Sequence, residues 1–288
     1  MIKNPKVSVL MPIYRTKEEY LREAIESVLA QTFADFEFLI LDDCPEDDRE
    51  KIVKSYKDKR IKYFKNEQNL GIAKSRNKLI DMAKGEYLAV FDHDDISLPE
   101  RLEKEVAYLD EHPDVGVVGS WREDFPGGEV YKFPEDDLEI RKLLTDICAI
   151  THSASMIRKS VLMDNNIRYE EEFSPSEDYA LWIKLTEFTK FHNIQEVLFK
   201  YRIYNGNTSH NQISKMYKAT KRLHLWIRNK YPFIYQDYIN DRTKVFKLKL
   251  FQVIPLLKVK INHNKMTFYL FYIFPFMMLS RKVLPWPK

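Results

Sequence analysis

Four short apolar runs, at residues 7–13, 36–41, 61–64 and 87–91, alternate with helix-forming segments, and this alternation constrains the fold more than any other feature of the chain. Between the first two runs, Thr16 and Glu19 have capping-box spacing, and Leu21, Ile25, Val28 and Leu29 recur at helical period. A polar helix is expected over about 46–57 and another over 72–83, with Gly85 as its stop signal. Strands alternating with helices at this spacing imply an α/β fold, a mostly parallel sheet flanked by helices. Such sheets bind ligands beyond the carboxyl ends of their strands. Two of the four strands end there in aspartates, Asp42-Asp43 and Asp92-His93-Asp94-Asp95.

Further along, a helix is expected from Pro99 to about residue 112, a strand at 115–119, a loop at 122–136 and a strand at 151–157. Ser174-Pro-Ser-Glu-Asp178 leads into a helix with Trp182, Leu185 and Phe188 on one side. Neither G-x-G-x-x-G nor G-x-x-x-x-G-K-[ST] occurs, so phosphate is held in some other way.

A hydrophobic content of 44% with 31% charged residues is that of an ordinary globular chain. Cys44 and Cys148 are the only cysteines, which excludes a disulfide framework and a cysteine-rich zinc site. The first residues lack a signal-peptide layout, so the expectation is a cytoplasmic location. The net charge of +3 conceals an asymmetry. Residues 211–288 hold 16 Lys or Arg against two acids, Asp237 and Asp241, whereas the first 210 hold 30 bases and 41 acids. The expected division is therefore an acidic α/β domain at 1–210 and a basic, helical C-terminal extension at 211–288, which calls for an anionic partner.

Within that extension, residues 266–280 are uncharged and contain Pro275. The run is shorter than the roughly 17–25 residues of a spanning helix. Flanking lysines and Trp286 favour the headgroup region of a membrane, where each basic residue gains about 1 kcal/mol from anionic lipid. A buried core helix with solvated flanks is the alternative for the run taken alone. Nucleic acid, the competing anion, is not the expected partner, because the basic residues accompany an apolar stretch. The expectation is peripheral association with the inner face of the plasma membrane.

Asp92 and Asp94 are separated by one residue, so an extended backbone puts both carboxylates on one face. Hard oxygen ligands of this kind suit Mg²⁺ or Mn²⁺. Alternatively, Asp94, Asp95 and Ser97 decorate a helix start, since Ser97 and Glu100 have capping-box spacing. Tyr14 could stack on a flat base or simply pack. Asp43 could accept an N–H of a ligand ring or serve as a turn aspartate before Pro45. Arg76 offers a fork of donors suited to phosphate, although a lone arginine on a helix is commonly solvated. Glu177 and Asp178 also fit the first turn of a helix through its dipole.

The order Val7-Ser-Val-Leu-Met-Pro-Ile-Tyr14, Gln31-Thr-Phe33, Asp42-Asp43, Asn69-Leu-Gly-Ile-Ala-Lys-Ser-Arg-Asn77, Gly85-Glu-Tyr87, Asp92-His-Asp-Asp95, Glu177-Asp178 resembles the inverting family-two glycosyltransferases over about residues 6–205. The resemblance implies a Rossmann-like GT-A fold. It also implies a nucleotide-sugar donor, a UDP-sugar in most such enzymes, and a glycan or lipid-linked acceptor such as a lipopolysaccharide or capsule precursor. It places Pro12, Tyr14 and Asp43 around the base, Arg76 near base or diphosphate, and Asp92 near ribose and donor sugar. Asp94 corresponds to the Mn²⁺- or Mg²⁺-binding aspartate, Asp178 to the catalytic base, and His152 to a recurrent position on the acceptor side. The chain departs from the pattern at Tyr201-Arg-Ile-Tyr204, where many relatives carry Tyr-Arg-x-His; His210 follows six residues later. A sugar-phosphate nucleotidyltransferase and an inactive membrane-bound assembly factor are the rival readings. The first normally carries a glycine-rich basic loop that this chain lacks.

Overall fold

In the structure, a computed structural model, strands β1 (Val7–Ile13), β2 (Phe36–Asp42) and β4 (Tyr87–Val90) are buried along their whole length. Both faces of the central sheet are therefore covered, as unbroken apolar strands require. The structure describes residues 4–204, Asn207, 213–231, 257–262, 265–270 and 283–285. The chain separates into two compact units, Met1–Ile203 and Tyr204–Lys288.

In the first unit the helices are α1 (Glu18–Leu29), α2 (Glu50–Ser55), α3 (Ile72–Met82), α4 (Arg101–Glu111), α5 (Asp137–Leu144), α6 (Lys159–Asp164) and α7 (Glu177–Leu185). With β3 (Ile61–Lys65), the first four strands form a parallel array in the order β3-β2-β1-β4. Direction of travel along the sheet reverses at β1/β4, the kind of switch point where open α/β sheets bind ligands. Beyond β4 the sheet becomes mixed: β8 (Met156–Arg158), β6 (Val115–Phe125), β9 (Lys190–Arg202) and β5 (Ile96–Ser97) complete the order, and β7 (Glu129–Tyr131) pairs with β6.

Several expectations need correction. Residues 122–136 are not one loop: β6 runs on to Phe125 beside β9 and turns through Pro126-Gly127-Gly128 into β7, and 132–136 are irregular as expected. Gly128, at φ +71°, donates its N–H to the Asp124 carbonyl at 2.8 Å and tightens that turn. The strand expected at 151–157 begins as a 3₁₀ turn, His152–Ala154. Ser97 does not cap a helix: it lies in β5, and its Oγ accepts from Gln31 Nε2 at 3.1 Å. Helix α1 starts without a side-chain cap, and the Thr16 hydroxyl is buried without a partner. Phe188 lies past the end of α7 and is exposed.

In the second unit, α8 (Ile213–Lys230) buries Ala219, Leu223 and Ile227 at every fourth position. The extension is not helical throughout. β10 (Leu257–Asn262), β11 (Lys265–Leu270) and β12 (Val283–Pro285) form a three-stranded antiparallel sheet. Leu257-Lys-Val-Lys-Ile261 alternates with period two, which suits a strand. Among the described residues no helix is long and apolar enough to cross a membrane. His210 and residues 271–280 lie outside the described residues.

Candidate active site

The carboxyl ends of β1 and β2 lie side by side, with Pro12 opposite Leu41 and the Asp43 N–H donated to the Ile13 carbonyl at 2.9 Å. Pro12 is buried, while Tyr14 just beyond it is 41% exposed, a flat ring at the strand end with the Arg15 guanidinium carbon 5.2 Å from its centre. Asp43 is buried, and its carboxylate organises the segment leading into α3. Oδ1 accepts from Asn66 Nδ2 and the Leu70 N–H, both at 2.8 Å, and Oδ2 accepts from the Gly71 N–H at 2.9 Å. Gly71 has φ +82°, a conformation that side chains rarely adopt. Asp42 is fully buried, accepting from the Cys44 N–H and the Tyr63 hydroxyl, and burial raises its pKa despite those donors.

The end of β4 carries the second acidic cluster. Asp92 Oδ1 accepts from Arg76 Nη2 at 3.1 Å, and Oδ2 accepts from the Ser153 hydroxyl. Burial alone would push Asp92 up, but the Arg76 guanidinium and the Ser153 hydroxyl outweigh it and hold the carboxyl at about 2. Asp95 is fully buried. Its Oδ1 accepts from the Arg202 N–H at 2.8 Å, and its Oδ2 has no partner. Burial, reinforced by Asp94 and Asp92, raises its pKa well above the carboxylate range. Arg202 also donates from Nε to the Asp94 carbonyl at 2.6 Å and pairs with Glu23. The Asp94 side chain is 14% exposed, with the His93 imidazole 3.9 Å away.

Arg76 is the hub. From α3 its guanidinium donates to Asp92 and, at 2.6 Å, to Glu177 Oε1 at the start of α7. Arg76 therefore lies between two carboxylates, on the loop side of the sheet where Asp92 ends β4. Asp178, next to Glu177, is half-buried. Burial and the neighbouring Glu177 charge raise its pKa to about 6, against the pull of Arg76. A carboxylate in that range can take a proton near neutral pH. His152 is buried, with Nε2 2.8 Å from the Tyr169 hydroxyl and Nδ1 unpartnered; burial followed by Arg76 drives its pKa well down, so the imidazole is neutral.

Among the described residues no group of three or more His, Cys, Asp or Glu is arranged to hold an ion by itself. Mg²⁺ and Mn²⁺ typically take one or two protein carboxylates and fill the remaining positions with substrate phosphates and water. Asp94, beside a His93 whose Nδ1 is buried and unpartnered, fits that share of a coordination sphere.

Of the residues singled out by sequence, Arg76, Asp92 and Asp178 come together, with Asp94 on the same loop, and Pro12, Tyr14 and Asp43 gather at β1/β2. Sequence reasoning missed the structural parts played by Ser153, Glu177 and Arg202. Arg202 lies within the Tyr201–Tyr204 segment, whose departure from the family pattern is the tyrosine in place of histidine. Tyr204 itself donates its N–H to Asn207 Oδ1 at 2.7 Å.

The sequence profile of glycosyl transferase family 2 matches residues 8–165. An uncharacterized glycosyltransferase of Methanocaldococcus jannaschii is 39% identical over 226 residues, 73% of this chain and 75% of the relative. The crystal structure of S. aureus TarS with UDP-GlcNAc superposes with a TM-score of 0.67 at 24% identity, covering 82% of this chain and 72% of that one. Mannosyltransferase PcManGT of Pyrobaculum calidifontis, in complex with GDP-Man and Mn²⁺, gives 0.58 at 12% identity, covering 84% and 71%. These two likenesses bear on the fold, and they agree with the GT-A architecture expected from the motif order.

Proposed function

The chain belongs to glycosyl transferase family 2, and from that premise we propose that it moves a sugar from a UDP-sugar to a hydroxyl of a glycan or lipid-linked acceptor, with inversion at the anomeric carbon. The observation that carries the reading is Asp178, a half-buried carboxylate held at about 6, sharing the field of Arg76 with Asp92. Asp178 takes the proton of the acceptor hydroxyl as that oxygen attacks the anomeric carbon. The new carbon–oxygen bond forms as the bond to the diphosphate breaks, and UDP leaves with the electron pair. One displacement gives inversion. Asp92, held ionised, is suited to the hydroxyls of ribose or donor sugar, and Tyr14 to the face of the base. A divalent ion held by Asp94 would supply charge neutralisation for the departing diphosphate. The UDP-GlcNAc complex of TarS supports the choice of donor, and the Mn²⁺ complex of PcManGT supports the ion.

Nucleoside diphosphate release from a panel of nucleotide sugars tests this reading, with Mn²⁺, with EDTA, and for Asp94→Asn and Asp178→Asn. Loss of the base alone lowers turnover by about 10²–10⁴-fold. Turnover indifferent to both substitutions and to chelation rejects the proposal.

The basic extension supports peripheral attachment to an anionic membrane, which would bring the site to a lipid-linked acceptor in cell-surface polysaccharide synthesis. Deleting residues 262–288 should then abolish sedimentation with anionic liposomes; sedimentation equal to that of the full chain would refute the attachment.

A further inference from the structure

We infer that Arg101 is a positioning residue for the transfer reaction, whose guanidinium locks the turn bearing His152 and Ser153 against the strand end that delivers Asp92 and Asp94. Arg101 opens α4 and is 1% exposed. Its Nη2 donates to two carbonyls on different elements, Val90 and Ser155, each at 3.0 Å. Its Nε donates to Glu105 Oε1 at 3.1 Å, and the guanidinium carbon lies 5.8 Å from the centre of the Phe199 ring in β9.

Three of these contacts, to Val90, Ser155 and Phe199, lead to the site in two or three residues. Val90 closes β4 two residues before Asp92. Ser155 follows Ser153, whose hydroxyl grips Asp92, and Ser155 Oγ donates to the His152 carbonyl at 2.6 Å. The Val90 N–H also donates to the Ser155 carbonyl at 2.9 Å, so strand and turn are joined twice at one point. Phe199 precedes Arg202, which holds Asp95 and the Asp94 carbonyl. One buried cation thus touches three elements that carry groups of the site: β4, the 152–155 turn and β9.

Stability alone is a poor reason for such a group. Well-packed apolar residues commonly replace a buried ion pair with no loss, or with a gain. An apolar side chain cannot bridge two carbonyl oxygens, and a lysine cannot serve both of them and Glu105 with planar, fixed geometry. Displacing reacting groups by 1 Å can cost about 100-fold in rate. The function of Arg101 is therefore to fix geometry rather than to touch substrate.

The inference rests on the transferase reading, and its test separates the two. Wild type, Arg101→Lys, Arg101→Met, Ser153→Ala and the Arg101→Lys/Ser153→Ala double variant are compared by donor turnover, by thermal midpoint and by amide exchange over residues 152–155. Arg101→Lys should stay folded, lower kcat about tenfold or more with donor KM nearly unchanged, and speed exchange in the 152–155 turn. Because Arg101 acts through the Ser153–Asp92 contact, the double variant should fall short of the product of the two single effects by about threefold or more. An active wild type whose Arg101→Lys or Arg101→Met form keeps full kcat overturns the inference, as do strictly multiplicative effects. Should wild type turn over no donor, the transferase reading fails by itself. The exchange measurement then decides on Arg101, faster exchange in the lysine variant upholding the lock and unchanged exchange refuting it.

Discussion

The two aspartate clusters look alike in sequence, each closing an apolar strand, yet the protein surrounds them with opposite kinds of partner. Asp42 and Asp43 are met by neutral donors: backbone N–H groups of Cys44, Leu70 and Gly71, the Asn66 amide and the Tyr63 hydroxyl. Those bonds shape a loop beside the exposed Tyr14 ring, over which Arg15 lies. The cluster after β4 is met by a cation, the Arg76 guanidinium on Asp92, with the Arg202 backbone N–H on Asp95, and it keeps Asp95 Oδ2 and His93 Nδ1 without hydrogen-bond partners. Neutral donors finish a fold, whereas cations allow several carboxylates to crowd together. The crowded cluster is the one where charge is concentrated for chemistry.

The comparison breaks most visibly at its cation. Arg76→Gln leaves Asp92 and Glu177 without their counter-charge, and breaking a buried pair costs about 3–5 kcal/mol. The lower end is expected here, because the Asp92 side chain is 29% exposed while that of Glu177 is only 5% exposed. Asp43→Asn keeps one acceptor oxygen and turns an amide toward a backbone N–H, a loss of about 1–3 kcal/mol for one unsatisfied buried donor. Chemical denaturation of both variants checks the ranking. An Asp43→Asn loss equal to or above that of Arg76→Gln would erase the distinction between the clusters.

Much of this was legible in sequence because it is local. β1, β2, β3 and α3 follow from apolar runs and helical period, and the aspartates announce themselves at strand ends. What stayed hidden depends on distance along the chain. Arg76 meets Glu177 across 101 residues, and Arg202 meets Asp95 across 107, so neither pairing leaves a trace in any short window. Strand β9 hid for another reason: its pairing with β6 shifts register around Ser120, Trp121 and Arg122, and the bulges blur the period-two alternation. Glu177 was read as the companion of Asp178, yet its carboxylate is what anchors the arginine between α3 and α7.

The pH dependence sharpens the comparison further, because the site pulls two carboxyls apart. Asp92 is held at about 2 by Arg76 against the effect of burial, while burial and Glu177 raise Asp178 to about 6. Separation of this kind assigns roles, with Asp92 ionised throughout and Asp178 able to exchange a proton. As pH falls through 6 the base becomes protonated, so kcat/KM should decline about tenfold for each further unit. Stability should move the other way. A carboxyl whose pKa rises on folding contributes stability that is complete below its unfolded value, 3.8, and is lost as pH rises through about 6. Glu105, raised by burial to about 7, extends the same trend. His152 and His192, whose pKa values burial lowers, act against that trend over the same window, so the share of Asp178 is read as the wild-type thermal midpoint minus that of Asp178→Asn. That difference should fall as pH rises from about 4 to 7, while activity rises. A difference that stayed level over that window would mean that the Asp178 carboxyl is ionised well below 6, and it would then be too weak a base for the proposed role.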